Sequence, residues 1–570
     1  MRILLLTHAF NSLTQRLSAE LQQRGHQTSI EFDIADSVTE EAVALFAPDL
    51  IVAPYLRRAI PESVWSRIVC LIVHPGVVGD RGPSALDWAI QNHETQWAVT
   101  VLQAQAEMDA GPVWASVSFP MRPGRKSGLY RHEVAKAASQ AVLQALQRFE
   151  SGSFVPQPLT TLPTRRGQWR PPMTQQQRCL DWQRDSSATI LNKLYAADGF
   201  PGVADNLFGQ PCQLFDAWSD ATLRGTPGSL IARRETALLR ATVDGAIWIG
   251  HVKRAGSIKL PSTLAFEREA AQLPDRPLHD WWQCKTPTWQ DIAYEEQGSL
   301  GFLSFEFYNG AMSTRQCDRL RTALHWAKQR PTRVLLLMGG SDFWSNGIHL
   351  NVIEAASLNG GSAADESWRN INAINDLALE LINTEQQITV AALGANAGAG
   401  GCFLARACDL VWARESVLLN PHYKNMGNLY GSEYWTYLLP RRVGMEAAQA
   451  IMRDRQPMTA QRGLQTGFID ACLDGELPVF RAEVAERAAA LAAGSDLAQR
   501  LATKRESRQR DETVKPLAVY REEELTQMRR NFYGFDPSYH IARHHFVHKS
   551  PASWTPRHLA RHRDLGWRLS

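Results

Sequence analysis

Two residues early in the chain are of a kind that moves protons. His74 directly follows the apolar run 69–73, and Asp109 lies just past another, 98–103. If these runs are strands of one parallel sheet, the imidazole and the carboxylate stand at neighbouring carboxyl ends, where open α/β sheets place their catalytic groups. A carboxylate there fixes the ring's tautomer, which suits general acid/base work in acyl transfer. Spacing alone leaves the plainer alternative of a structural histidine. Farther on, MGGSDFWSNGIHLN (338–351) and GANAGAGGCFLARACDLVWA (394–413) are glycine-containing turns after strand-like runs. Glycine lets backbone N–H groups come close to a ligand oxygen, although tight packing also uses such turns.

The elements that must hold these groups are legible as periodicity. Within 1–150, apolar runs at 3–6, 50–53, 69–73 and 98–103 and a strand at 27–33 alternate with helical spacing at 13–24 and 38–46. This alternation is the signature of a parallel α/β sheet. Ser, Pro and Thr at 151–163, continued by the irregular 165–172, mark a boundary. A smaller unit at about 175–275 opens with a helix at 187–197 and continues with strands at 213–217, 237–242 and 246–252, the pattern of a small barrel. Three prolines in 273–288 make a second linker. The third unit starts with strands at 292–296 and 301–307 and a helix at 314–329. Runs at 334–338 and 388–393 then lead into the two glycine turns, and beyond 445 the spacing becomes helical (446–453, 479–493, 517–530).

Length and composition bound the function class. A chain of 570 residues exceeds a single core and predicts about three to five units. With 44% apolar and 21% charged residues it is globular rather than disordered. A net charge of +3 argues against broad nucleic-acid binding. The eight cysteines are scattered, with no CxxC pair, so neither a zinc ribbon nor a disulfide framework is expected, and no metal ligand set is read. The N-terminal apolar run is too short for a signal peptide, and no stretch approaches 18 uncharged apolar residues. The expectation is a cytoplasmic protein with no membrane partner. The segment from His540 holds six of the 16 histidines and several arginines. It reads as a solvated tail wrapping the surface, with a nickel or nucleic-acid role as the alternative.

The wording around His74 is specific. His74-Pro75, Arg81-Gly82-Pro83, Trp88-Ala89-Ile90, Thr100 and Asp109-Ala110-Gly111-Pro112 occur in this order. The stretch resembles the folate-dependent formyltransferases, among them methionyl-tRNA formyltransferase. The segments 180–203 and 244–254 resemble that family's C-terminal barrel. The resemblance implies 10-formyltetrahydrofolate as donor, His74 as general acid/base and Asp109 as its partner. It also implies a pterin pocket lined by VAPYLRR (52–58), so that Tyr55, Leu56, Arg57 and Asp109 bind folate. One departure matters. The family's Asn two residues before the His is Ile72 here, and isoleucine cannot donate a hydrogen bond to an oxyanion.

The two glycine turns, with FYNGAMS (307–313) and MTAQRGLQTGFID (458–470), resemble the crotonase (enoyl-CoA hydratase/isomerase) family. Carried over by position, the backbone N–H groups of Ile348 and Gly400 form an oxyanion hole for an acyl-CoA thioester. Coenzyme A would lie against Ala311, Gly347, Ile348 and Gly400. The two hydratase carboxylates are absent, their positions being Phe403 and His422, so ordinary water addition is disfavoured. Nearby stand Tyr423 and Glu433, separated by a glycine-containing loop and able to meet over the thioester.

The wording of 422–440 and 516–540, together with the order of the two halves, resembles the HypX (HoxX) family of hydrogenase maturation factors. The fold implied is α/β multidomain. It comprises a parallel Rossmann-like formyltransferase domain (1–165), a small OB-like β-barrel domain (166–280), a crotonase-like α/β spiral domain with helical C-terminal region (285–545) and a basic tail (546–570). The activity implied is formyl transfer from 10-formyltetrahydrofolate to coenzyme A, then decarbonylation of formyl-CoA to carbon monoxide. Tyr423 and Glu433 would manage the proton. Hydrogenase maturation proteins are the implied partners. Two alternatives stay open: a formyltransferase for a sugar nucleotide or amine fused to an unrelated acyl-CoA enzyme, and a non-catalytic maturation scaffold.

Overall fold

The structure, a computed structural model, describes residues 1–162, 166–278, 281 and 288–564. Parts of both expected linkers, including the expected boundaries at 165 and 280, lie outside the described residues. The chain divides into two units: Met1–Leu230, Arg240–Ala255 and Pro551–Ser570 form one, Ile231–Leu239 and Gly256–Ser550 the other. Among the described residues no helix is long and apolar enough to cross a membrane.

The first unit opens β1 (Arg2–Thr7), α1 (Ser12–Gln23), β2 (Gln27–Phe32), α2 (Asp36–Phe46), β3 (Leu50–Tyr55) and β4 (Cys70–His74). There follow α3 (Ala85–Gln91), β5 (Gln96–Gln103), β6 (Val113–Pro120) and α4 (Ala135–Ser151). α1 shows why such segments form. The Asn11 side chain caps its start by accepting from the Thr14 amide, and Leu13, Leu17 and Leu21 repeat at i, i+4 on the buried face. The sheet order is β2-β1-β3-β4-β5-β6. Both faces are covered, so β1 is a continuous apolar run, with Ile3 and Leu5 in one core cluster and Leu4 and Leu6 in another. The expectation of a parallel sheet holds for β2, β1, β3 and β4. It fails at 98–103: β5 runs antiparallel to β4, and β6, not read from the sequence, antiparallel to β5. Periodicity reports a strand but not its direction, and the helix α3 between β4 and β5 imitates a crossover.

The expected helix at 187–197 is α5 (Ser187–Ala197), capped by Ser186. Six strands follow: β7 (Val203–Leu207), β8 (Gln210–Asp220), β9 (Leu230–Arg234), β10 (Ala237–Ala241), β11 (Ala246–Arg254) and β12 (Lys259–Pro261). In the first unit β8 pairs antiparallel with both β7 and β11.

The expected tail does wrap a surface, but it is not simply solvated, since Thr555, Leu559, Ala560 and His562 are buried. In the first unit, residues 551–564 run beside β2, the edge strand of the sheet. The Ile30 and Phe32 amides donate to Leu559 O (3.1 Å) and Thr555 Oγ1 (2.8 Å). His562 lies between Ser29 (2.7 Å) and the fully buried Glu31 (3.0 Å), and Arg563 adds an ion pair to Glu31. An edge strand presents unpaired polar groups, and covering them removes a pairing hazard.

The second unit contains β13 (Ile292–Gln297), β14 (Leu300–Phe305), β15 (Ala311–Met312), α6 (Thr314–Lys328), β16 (Val334–Met338), β17 (Phe343–Ser345) and β18 (Gly347–Ile348). Next come α7 (Leu350–Leu358), α8 (Ala363–Ile382), β19 (Ile388–Leu393), β20 (Asn396–Gly398), α9 (Gly400–Arg406), β21 (Leu410–Arg414) and β22 (Leu418–Asn420). The chain continues with α10 (Trp435–Val443), β23 (Met458–Thr459), β24 (Ala471–Leu473), α11 (Leu477–Ala493), α12 (Leu517–Tyr533) and α13 (Ser538–His548). The main sheet is ordered β13-β14-β16-β19-β21-β24, and a smaller one β17-β20-β22-β23 stands beside it. β16 reads VLLLM because both its faces are buried: Leu335 and Leu337 enter one cluster, Val334, Leu336 and Met338 another. α7 and α8 add to the elements expected from the sequence.

Candidate functional site

Two clusters hold the residues singled out from the sequence, one in each unit. In the first, His74 is the last residue of β4, and Tyr55 is the last residue of the adjacent parallel strand β3. Thr7 and His8 complete this edge of the sheet, their hydroxyl and amide donating to Tyr55 O (3.2 and 2.6 Å). The buried Asp33 organises the turn after β3. It accepts from the Arg57 and Arg58 amides (2.8 and 3.2 Å) and pairs with His8 Nδ1 at 2.7 Å. Leu56 lies in the same turn, between Tyr55 and Arg57, and Arg57 Nε donates to the Tyr55 hydroxyl (3.1 Å).

The His74 ring, 5% exposed, lies between two carboxylates. Asp109 Oδ2 is 3.5 Å from Nδ1, and Asp80 Oδ2 is 3.0 Å from Nε2. Asp109 reaches His74 by a route different from the expected one. Because β5 is antiparallel, its carboxyl end lies beside the start of β4, and Ala104 N still donates to Cys70 O. The loop 104–112 therefore returns the carboxylate to the far end of β4, where Asp109 has φ 53° and accepts from the Gly82 amide at 3.1 Å. Ile72, two residues before His74 and so on the same face of β4, packs into the apolar cluster with Ala53, Cys70 and Ala104.

Asp80 was not singled out from the sequence. Its only signal is a carboxylate in GDRGP (79–83), six residues after His74, a spacing with no periodic meaning. Its side chain is 1% exposed, and Arg170 Nη1 lies 3.7 Å away. Replacing Asp80 by asparagine is expected to lower the rate of the step that depends on His74 about tenfold or more, because one ring nitrogen loses its carboxylate partner. Asp109→Asn should remove most of the same step. Steady-state kinetics of the two variants check this, and an Asp80→Asn rate equal to the parent's would leave Asp109 as the sole partner.

In the second unit the glycine turns meet. β15 and β18 pair in parallel, Ala311 opposite Gly347 and Met312 opposite Ile348. Gly347 has φ 78°, and a Cβ on it would lie 3.2 Å from the amide nitrogen of Gly400. Gly400 is the first residue of α9, so its N–H has no helical partner. A Cβ on Gly400 would collide with the Glu433 carboxylate. Ala311, Gly347, Ile348, Gly400 and Glu433 are thus brought into one place from four separate segments.

Tyr423 and Glu433 do meet: the phenol donates to Glu433 Oε2 at 2.5 Å and lies 3.0 Å from Ser432 O. Phe403, at a lost hydratase carboxylate position, is fully buried and stacks on the Tyr423 ring (centroids 5.5 Å, 14°). His422 is also buried. Burial pushes the Glu433 carboxyl up to about 7, against the hydrogen bond from Tyr423, which pulls it down. Burial, with the Glu433 charge, holds the Tyr423 phenol well above its ordinary value. Within this pair the phenol is therefore the proton donor, and Glu433 the member that changes charge near neutrality.

Two further residues hold this pair and escaped sequence reasoning. Glu433 and Tyr434 both have φ 59°, an unfavourable region for side chains of their size. Asn375 of α8 accepts from the Glu433 amide (2.8 Å) and the Ser432 hydroxyl (2.7 Å). Glu524 of α12 accepts from the Tyr434 and Thr436 amides (2.9 and 2.8 Å). Burial pushes the Glu524 carboxyl up to about 8, and the nearby Glu433 adds to it. They lie 58 and 90 residues from the backbone groups they hold, beyond any local pattern.

Residues 15–146 match the family described as formyl transferase, 172–268 the formyl transferase C-terminal domain, and 307–557 enoyl-CoA hydratase/isomerase. The chain is 53% identical over 565 residues to the hydrogenase maturation factor HoxX of Bradyrhizobium diazoefficiens, covering 99% of this chain and 97% of that one. The crystal structure of HypX from Aquifex aeolicus in complex with tetrahydrofolic acid is 46% identical, with a TM-score of 0.96 and full coverage of both chains. A methionyl-tRNA formyltransferase of Trichlorobacter lovleyi is 25% identical over 39% of this chain and 69% of its own.

Proposed function

The chain belongs to the HypX (HoxX) family of hydrogenase maturation factors, and from that premise we propose that it makes carbon monoxide in two steps for the iron of a [NiFe]-hydrogenase. The first unit moves formyl from 10-formyltetrahydrofolate to the thiol of coenzyme A. The second breaks formyl-CoA into CO and CoA. The tetrahydrofolic acid complex of the Aquifex aeolicus relative supports a folate as the donor class; we place it at the β3–β4 edge, with Tyr55, Leu56, Arg57 and Asp109 around it.

In the first step a C–S bond forms to the formyl carbon and its bond to N10 breaks. His74 takes the thiol proton and returns it to the departing nitrogen, held in one orientation by Asp80 and Asp109. In the second step the formyl C–H and C–S bonds break, and one proton passes from carbon to sulfur. Glu433 receives the formyl proton as a carboxylate, and Tyr423 donates to the departing thiolate. The Tyr423–Glu433 hydrogen bond returns the proton between them. The amides of Ile348 and Gly400 face the thioester oxygen, and Ala311 and Gly347 border the CoA arm. The observation that supports this reading most is the buried Tyr423–Glu433 pair against Gly400, where a hydratase would need two carboxylates. Its test is to supply purified protein with 10-formyltetrahydrofolate and CoA and trap released gas with deoxyhaemoglobin. Tetrahydrofolate release without a carboxyhaemoglobin spectrum would refute the second step.

The pH dependence follows from Glu433. Its folded-state pKa of about 7 lies above the ordinary 4.5, so the carboxylate needed as base accumulates only as pH rises through 7. Single-turnover CO release should climb about tenfold per pH unit below 7 and level off above it. Glu433→Gln should abolish that limb. A profile flat from pH 6 to 8 in the parent would remove Glu433 from the proton path.

A further inference from the structure

The segment from His540 carries more than a cover for the sheet edge. In the second unit, His544 and His548 stand one turn apart on α13 and face Glu354 of α7. His544 Nδ1 is 3.0 Å and His548 Nε2 3.1 Å from the same oxygen, Glu354 Oε1, and the three atoms lie within 4.8 Å of one another. The two imidazole centroids are 4.1 Å apart. We propose that Glu354, His544 and His548 form a binding site for a zinc-type divalent cation, distinct from both acyl-transfer clusters.

The chemistry favours this class of ion. Two imidazole nitrogens and one carboxylate oxygen are a three-ligand set suited to zinc, with a fourth position left for water. Tetrahedral bonds of about 2.0–2.1 Å place ligand atoms about 3.3 Å apart; the two nitrogen–oxygen separations, 3.0 and 3.1 Å, lie close to that spacing, and the two nitrogens lie within 4.8 Å of each other. The Glu354 side chain is 5% exposed while those of His544 and His548 are 55% and 31% exposed, so the anchor is fixed and the approach is open. Arg543 Nε donates to Glu354 Oε2 at 2.8 Å, which leaves Oε1 to the cation and orients the carboxylate as an outer-shell partner does. The Arg543 guanidinium charge opposes the cation, and the two imidazole nitrogens offset it as ligands. The bound ion would clamp α13 onto α7, whose first turn follows the oxyanion residue Ile348. No local pattern discloses the set, because Glu354 lies 190 residues from His544.

The test uses the full-length protein, stripped with chelator and desalted. Zn(II) is titrated in competition with a chromophoric chelator, and Co(II) absorption reports geometry. One Zn(II) per chain and an intense tetrahedral Co(II) band are expected. His548→Ala and His544→Ala should each weaken Zn(II) at least about tenfold, while His545→Ala, a change at the exposed neighbour, should bind as the parent does. Zn(II) should also raise the melting temperature of the parent but not of His548→Ala, and circular dichroism of each variant verifies folding. Should an alanine variant unfold, His548→Gln is measured in its place. Absence of one-equivalent binding in the parent, or equal affinity in the folded His variants, would overturn the site.

Discussion

Replacing His74 by alanine is expected to lower formyl transfer about 10²- to 10⁴-fold, the range that a positioned general acid/base contributes. In the proposed first step the imidazole accepts the thiol proton and delivers one to N10. Asp80 at 3.0 Å and Asp109 at 3.5 Å hold the ring in place. The change is confined to function because His74 ends its strand. The core residues Leu71 and Val73 of β4 are untouched, and the lost side chain leaves Asp80 its Arg170 contact and Asp109 its Gly82 amide. CoA binding measured by calorimetry should persist. CO release should fall with tetrahydrofolate release when 10-formyltetrahydrofolate is the substrate, yet return when formyl-CoA is supplied directly. Unchanged tetrahydrofolate release in the folded variant would sink the assignment.

Tyr423→Phe and Glu433→Gln are expected to reverse that pattern, stopping CO release by about 10²-fold or more while tetrahydrofolate forms for at least one turnover. Phenylalanine keeps the ring that stacks on Phe403 and removes only the hydroxyl that bonds Glu433. Glutamine keeps the shape beside Gly400 and removes the charge. Its amide can still accept from the Tyr423 phenol, so the loop at φ 59° stays anchored through Asn375 and Glu524. Loss in both variants therefore reports proton transfer rather than collapse of the loop. Single-turnover assays with trapped CO decide it. If both release CO at the parental rate, decarbonylation lies elsewhere and the buried His422 is the next residue to replace.

The order of amino acids by itself determines a good part of this protein. Continuous apolar runs such as 3–6 and 334–338 identify strands buried on both faces, since parallel sheets are covered on each side. The Asn11 cap and the i, i+4 leucines of 13–21 identify a helix, because capping and amphipathic burial are local properties. The order of motifs points to the family and to the pairs His74–Asp109 and Tyr423–Glu433. Tyr423 and Glu433 are ten residues apart across one turn, within reach of local reasoning.

What only the tertiary structure decides is whatever depends on direction or on distant chain. The antiparallel sense of β5 is invisible in the sequence, since strand periodicity is the same in either direction. It changes the path by which Asp109 reaches His74. Asp80 needs the turn after β4 to fold back before its carboxylate can meet Nε2. Asn375 and Glu524 come from helices far along the chain and hold a loop whose own residues disfavour its backbone. Residues 551–564 carry no core-like periodicity, yet they supply the hydrogen bonds that the edge strand β2 lacks. Glu354 acquires two histidines across 190 residues. Local sequence reports propensity and burial; which side chains share a volume is set by packing, and Asp80, Asn375, Glu524 and Glu354 all belong to that second kind.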